Sequence, residues 1–159
     1  MTVPHVPILS PAQLPISLGT PLDGRSKTVV SDLINPYGFV VFRGYGVSSD
    51  QEFHDFIECF GLPNFTYAES FSNAVRRNRT PRVFTANEAP PEIEIFLHHE
   101  MAQTLVFPGQ LFFFCEQAPT EGGATPIGRS DLALVAIEKA RPNFCLLYTS
   151  DAADEGWWV

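Results

Sequence analysis

Cationic residues are scarce in this 159-residue chain: ten Lys and Arg stand against eighteen Asp and Glu, for a net charge of -8. The longest basic cluster is Arg76-Arg77-Asn78-Arg79. An acidic chain without a basic stripe is a poor match for a polyanion, so nucleic acid is excluded as the expected partner. Cysteine is also sparse. Cys59, Cys115 and Cys145 show no CxxC spacing, so neither a disulfide framework nor a cysteine zinc site is expected, and a reduced, cytoplasmic setting is. No long apolar run exists either, and the stretch around residues 111–115 is too short to span a bilayer. The first 24 residues lack a basic leader and are broken by Pro4, Pro7, Pro11, Pro15 and Pro21, so no signal peptide is expected.

What the chain does have is apolar and aromatic content, 45% and 13%, with 14 Phe. That is enough for the core of one globular domain. Residues 1–24 read as an extended lead-in that packs along a surface or lies loose. Asp23 or Ser26 is placed to cap a short helix over residues 27–34, which Asn35-Pro36 should end. Phe39-Val40-Val41-Phe42 reads as a buried strand. Ser48-Ser49-Asp50 opens a helix with Phe53, Phe56, Ile57 and Phe60 on one face and Gly61 as its stop. Residues 62–92 have little periodicity and read as a long loop over a site. Strands are expected at 93–98, 110–116 and 125–127, with a turn at 119–125. A last helix runs from Ser130 or Asp131 to about Lys139 and is ended by Pro142.

The end of the chain has a different look. Residues 145–155, CLLYTSDAADE, resemble the translation of a transposon-end adapter used in preparing sequencing libraries. Native sequence is therefore expected to end near Phe144, with 145–159 a non-native tail and 25–144 the amino-terminal part of one domain. Removing Asp151, Asp154 and Glu155 changes the net charge from -8 to -5.

The chemistry sits at Leu97-His98-His99-Glu100. Side chains alternate along a strand, so His98 and Glu100 share a face while His99 points away. An imidazole and a carboxylate two residues apart form the local half of a facial triad, the ligand set that leaves open positions on Fe(II). Alone, such a three-residue pattern recurs by chance. Other residues have plainer readings: His54 as a boundary histidine on its helix, and Arg76, Arg77 and Arg79 as a solvated basic patch able at most to steer an anion. Thr85 and Asn87, just before the His98 strand, are candidate substrate-pocket residues.

The context makes the motif specific. Leu97-His98-His99-Glu100, then Phe107-Pro108-Gly109, Phe112-Phe113-Phe114-Cys115 and Glu121-Gly122-Gly123-Ala124-Thr125-Pro126-Ile127 resemble, in order and spacing, the taurine dioxygenase-like family of Fe(II)- and 2-oxoglutarate-dependent oxygenases. Upstream, Gly38-Phe39-Val40-Val41-Phe42-Arg43-Gly44-Tyr45 and the following helix are similar to that family's opening strand and helix. The Glu variant of the motif resembles the clavaminate-synthase-like branch.

This resemblance implies a mainly β fold with flanking helices, a double-stranded β-helix or jelly roll that is truncated here. It implies His98 and Glu100 as metal ligands and Thr125 as a partner of a 2-oxoglutarate carboxylate, with Fe(II), 2-oxoglutarate and O2 as cofactor and cosubstrates. Gly122 and Gly123 would let the turn backbone place that threonine. Halogenating members carry a small residue in place of the carboxylate, so Glu100 points to hydroxylation of a small molecule, amino-acid-like substrates included. The family's second histidine and its 2-oxoglutarate-binding arginine have no counterpart before Phe144, and Arg129 and Arg141 are not in the right place. Such a fragment is expected to be inactive by itself. Two other readings stay open: a non-catalytic jelly-roll binding module, and another cupin-like metalloenzyme. The sequence leaves the oligomeric state undetermined.

Overall fold

The computed structural model describes residues 6–65, 76–86, 90, 92–93, 95–100 and 107–143. Two units are distinguished, residues 1–124 and 125–159, and each is described by itself.

The first unit opens with a β-α-β arrangement. Strand β1, Ile8–Leu9, pairs in parallel with β2, Val41–Phe42, in the register Ile8 to Val41 and Leu9 to Phe42. Val41 donates its backbone N–H to the Pro7 carbonyl at 2.9 Å and Arg43 to that of Leu9 at 2.8 Å. Between the strands lies helix α1, Gly24–Tyr37. The proline-rich segment is thus extended but not loose. Pro7, Leu9, Leu14 and Leu22 are buried in it, and the Leu22 N–H reaches the Cys59 carbonyl at 2.7 Å.

Helix α1 runs further than Asn35-Pro36 suggested. The Asp23 side chain accepts from the Ser26 N–H at 2.7 Å, and this bond holds the Asp23 carboxyl below the usual aspartate range. Pro36 lies inside the last turn, and Gly38 ends the helix in the left-handed region at φ 81°, donating its N–H to the Ile34 carbonyl. A proline so near the carboxyl end removes one helical hydrogen bond without continuing turns to disrupt. The stop is set by the residue free to reverse the chain.

Helix α2, Asp50–Glu58, begins on a capping box. Ser49 Oγ accepts from the Glu52 N–H at 3.2 Å, while the Glu52 carboxylate accepts from Ser48 N–H and Oγ at 2.9 and 2.7 Å. Those bonds, chiefly from the Ser48 side chain, lower the Glu52 pKa. The apolar face of α2 buries Phe56 and Ile57, followed by Cys59 and Phe60. Phe42 stands at the hub, with edge-to-face contacts to Phe56 at 5.2 Å, Tyr45 at 5.7 Å and Phe60 at 5.8 Å between ring centres. Each buried ring contributes about 1.5–3 kcal/mol relative to exposure, so this cluster organises the unit. Tyr45 donates its hydroxyl to the Leu14 carbonyl at 2.8 Å, and desolvation pushes the phenol upward.

The three later strands expected from the pattern are not hydrogen-bonded as strands among the described residues. Alternation nevertheless survives at residues 111–115. Phe112 packs edge-on against Phe60 at 5.0 Å and Phe114 stacks on Phe53 at 5.2 Å, while Leu111, Phe113 and Cys115 are exposed. An extended segment becomes a strand only when a neighbour takes its N–H and C=O groups. Here Phe53 of α2 and Phe60 just after it accept one face of side chains, and no described segment pairs with the backbone.

In the second unit, helix α3 spans Ser130–Ala140, close to the expected bounds. Its cap residue, Arg129, supplies no side-chain cap bond and instead grips Asp131 through two nitrogens. That hydrogen-bonded pairing draws the Asp131 carboxyl down to about 2 and raises the Arg129 pKa. All side chains of α3 are exposed, including Leu132, Leu134, Val135 and Ile137. Among the described residues no helix is long and apolar enough to cross a membrane.

Candidate metal centre

The segment around His98 follows an exposed apolar stretch, with Phe96 and Leu97 more than two-thirds exposed at 72% and 70%. His98 Nδ1 lies 2.7 Å from the Phe96 carbonyl oxygen. A carbonyl can only accept, so Nδ1 must carry the proton, and in the neutral imidazole Nε2 is left with its lone pair. A histidine that ligates a metal is commonly fixed in this way, one ring nitrogen donating to backbone and the other free to coordinate. His98 and His99 are both exposed.

Glu100 is less exposed than His98 and His99. Its side chain is 16% exposed, and Oε1 accepts from a terminal nitrogen of Arg76 at 3.0 Å. This is the feature that the sequence did not disclose. The run of arginines read as a solvated patch, but Arg76 is itself only 20% exposed in this ion pair. Arg79 donates to Asp50 at 2.7 Å and lies 3.7 Å from Glu116. Both arginines are spent on carboxylates, one of them on the candidate site. A signal was present in composition: so few cations among so many acids are apt to be paired.

Arg76 is delivered by an anchored turn. Asn78 and Phe84 form an antiparallel bridge, and Arg79 donates its N–H to the Val83 carbonyl at 2.8 Å. Thr80 pins the turn to α2: its hydroxyl accepts from the N–H groups of Arg82 and Val83 at 3.2 and 3.0 Å and faces His54 Nδ1 at 2.9 Å. With both lone pairs engaged, that hydroxyl donates to His54, which places the imidazole proton on Nε2, toward Glu58 at 3.7 Å. Arg82 closes the arrangement through Glu58 and the Leu62 carbonyl. His54 is therefore a half-buried structural residue.

Of the substrate-pocket candidates, Thr85 lies at the foot of this turn. Its hydroxyl accepts from the Arg77 N–H at 2.9 Å and its own N–H donates to the Arg77 carbonyl at 3.0 Å. Asn87 falls outside the described residues. The Gly-Gly turn is present, Gly122 and Gly123 having φ of 66° and 68°. A Cβ on Gly123 would meet Pro119 Cγ at 2.5 Å, so glycine is needed there for space as well as conformation. Thr125 is exposed and is the first residue of the second unit. Among the described residues no group of three or more His, Cys, Asp or Glu side chains converges as a metal site. His98 and Glu100 remain the two candidate donors, with no third such side chain joining them among the described residues.

Comparison with known proteins gives a consistent picture. The family described as "Taurine catabolism dioxygenase TauD, TfdA family" matches over residues 5–157. A clavaminate synthase-like protein of Arabidopsis thaliana is 39% identical over 148 residues, covering 89% of this chain and 44% of the relative. The dapdiamide synthesis protein DdaC of Enterobacter agglomerans is 28% identical over 137 residues, covering 86% of this chain and 40% of the relative. The chain thus spans less than half the length of these two curated relatives. No solved structure matches.

Proposed function

Because the chain belongs to the TauD/TfdA family of dioxygenases and is clavaminate-synthase-like, we propose that its function is Fe(II)- and 2-oxoglutarate-dependent hydroxylation of a small molecule. His98 and Glu100 serve as metal ligands in this reading, and Thr125 binds a carboxylate of 2-oxoglutarate. One observation carries it: the Nδ1 proton of His98 is committed to the Phe96 carbonyl, so Nε2 is the nitrogen offered, two residues from a carboxylate. An imidazole lone pair and a carboxylate oxygen are the donors that Fe(II) takes in a facial triad. Bound there, iron with 2-oxoglutarate and O2 supplies the oxidising power for a C–H bond.

The chain's own residues do the positioning. Phe96 fixes the imidazole tautomer, Arg76 holds the carboxylate, and Gly122 and Gly123 shape the turn before Thr125. The fold that goes with this reading is the double-stranded β-helix with flanking helices. The reading calls in addition for a second histidine and an arginine for the other 2-oxoglutarate carboxylate, supplied from outside this segment. A relative named for dapdiamide synthesis fits a small-molecule substrate, and Glu100 favours hydroxylation over halogenation.

Anaerobic Fe(II) titration tests the ligands. His98→Ala and Glu100→Ala should each weaken binding by about tenfold or more, the scale of a lost ligand or its support; unchanged binding in His98→Ala sinks the proposal. Succinate release on adding 2-oxoglutarate and O2 to a full-length protein carrying this segment tests the reaction class.

A further inference from the structure

The Arg76 to Glu100 ion pair has no role in the motif, and it involves the one carboxylate assigned to the metal. Its surroundings make it more than a surface contact. Both side chains are four-fifths or more buried, and the arginine rises from a turn held by the paired Arg77 and Thr85 bonds and by Thr80 against α2. The guanidinium nitrogen lies 3.0 Å from Oε1 and donates to it.

A carboxylate can meet a metal through one oxygen or chelate it with both. Chelation occupies an extra coordination position, whereas a site that must also take two oxygens of a 2-oxo acid and a molecule of O2 has none to spare. An arginine that holds one oxygen by a charge-assisted hydrogen bond leaves the other as the natural donor. The geometry points to Arg76 as a positioning residue that restricts Glu100 to one-oxygen ligation through Oε2, and whose charge lowers the affinity of the site for a divalent cation. This rests on the reading of Glu100 as a ligand.

The test is Mn(II) titration of the whole chain, with binding and the number of metal-bound waters followed by water-proton relaxation. Arg76→Gln removes the charge and frees Oε1. It should bind Mn(II) about tenfold more tightly, the scale of one unit charge acting on a divalent ion across a few ångströms of partly hydrated protein. It should also carry one fewer bound water, as Glu100 chelates. Arg76→Lys keeps a charged single donor and should match the wild-type water count, with affinity within about twofold. A merely structural role for Arg76 would not change the water count in this direction or be rescued so. Glu100→Gln separates the role of Glu100 as a ligand from the role of Arg76. If it binds Mn(II) as the wild type does, the ligand reading fails and this inference with it. If it binds more weakly while Arg76→Gln shows unchanged or weaker affinity and an unchanged water count, the ligand stands and the role of Arg76 is overturned.

Discussion

Replacing Thr80 with Val keeps the shape of the side chain and deletes one oxygen. That oxygen accepts from Arg82 N–H at 3.2 Å and Val83 N–H at 3.0 Å and donates to His54 Nδ1 across 2.9 Å. A protein hydrogen bond contributes about 0.5–1.5 kcal/mol net, and a donor left unpaired away from water costs more. The 3.2 Å bond belongs at the weak end, and the half-buried turn lets water reach part of what is freed. The sum for Thr80→Val is about 2 kcal/mol, which for a chain of this size lowers Tm by about 4–8 °C. Thr80→Ser keeps the oxygen and should cost less than about 1 kcal/mol. Urea denaturation gives the free energies, and nitrogen-15 NMR of the imidazoles reports whether His54 carries its proton on Nε2, as the Thr80 bond requires. A Thr80→Val variant within about 0.5 kcal/mol of wild type, or a Thr80→Ser variant equally destabilised, refutes the pinning role. So does a His54 protonated on Nδ1.

Three further outcomes are expected. Tyr45→Phe removes the bond to the Leu14 carbonyl and should cost about 1–2 kcal/mol in urea denaturation with an unchanged m-value. Gly123→Ala forces a left-handed alanine against Pro119 and should cost at least about 1–2 kcal/mol; Pro119→Ala in the same chain should recover part of that, and a strictly additive cycle would contradict the contact. Asp131, held down to about 2 by Arg129, has a folded-state pKa below its ordinary one, so the contact is intact above the ordinary aspartate range and is lost as pH falls from there through about 2. The helicity of α3 should fall over that window and Asp131→Asn should flatten the response; a carboxyl titration of Asp131 at the ordinary value would count against the pairing.

The local elements were legible because their signals are local. Ser49 and Glu52 cap α2 with their own side chains, Phe56 and Phe60 fall on one face, and α3 follows from Ser130 and Pro142. Pro36 does not end α1 because it stands in the last turn, where a proline costs one hydrogen bond and no further turn. Residues 7–22 are not legible locally: Leu9 and Leu14 find their partners in Phe42, Tyr45 and the end of α2, and no local pattern marks a proline-rich stretch as core. At the candidate site, the spacing of His98 and Glu100 was visible, as was the need for Gly123. Arg76 was not, since 24 residues separate it from Glu100 and pairing across such a gap depends on where the turn at 78–84 is pinned.

The β1 segment also bears on how the chain is made. Leu9 and Leu14 leave the ribosome before Phe42, Tyr45 and Phe56, which join them in the core, and Phe56 follows Leu9 by 47 positions. At ordinary elongation speeds these apolar side chains wait about 2–10 s for their partners. A stretch of β-prone apolar residues exposed for that long is open to pairing with neighbouring nascent chains. Pro7, Pro11, Pro15 and Pro21 deny it the backbone donors for such pairing. The prolines that mark this segment as an extended lead-in also leave it fewer backbone donors for such pairing before α2 is synthesised.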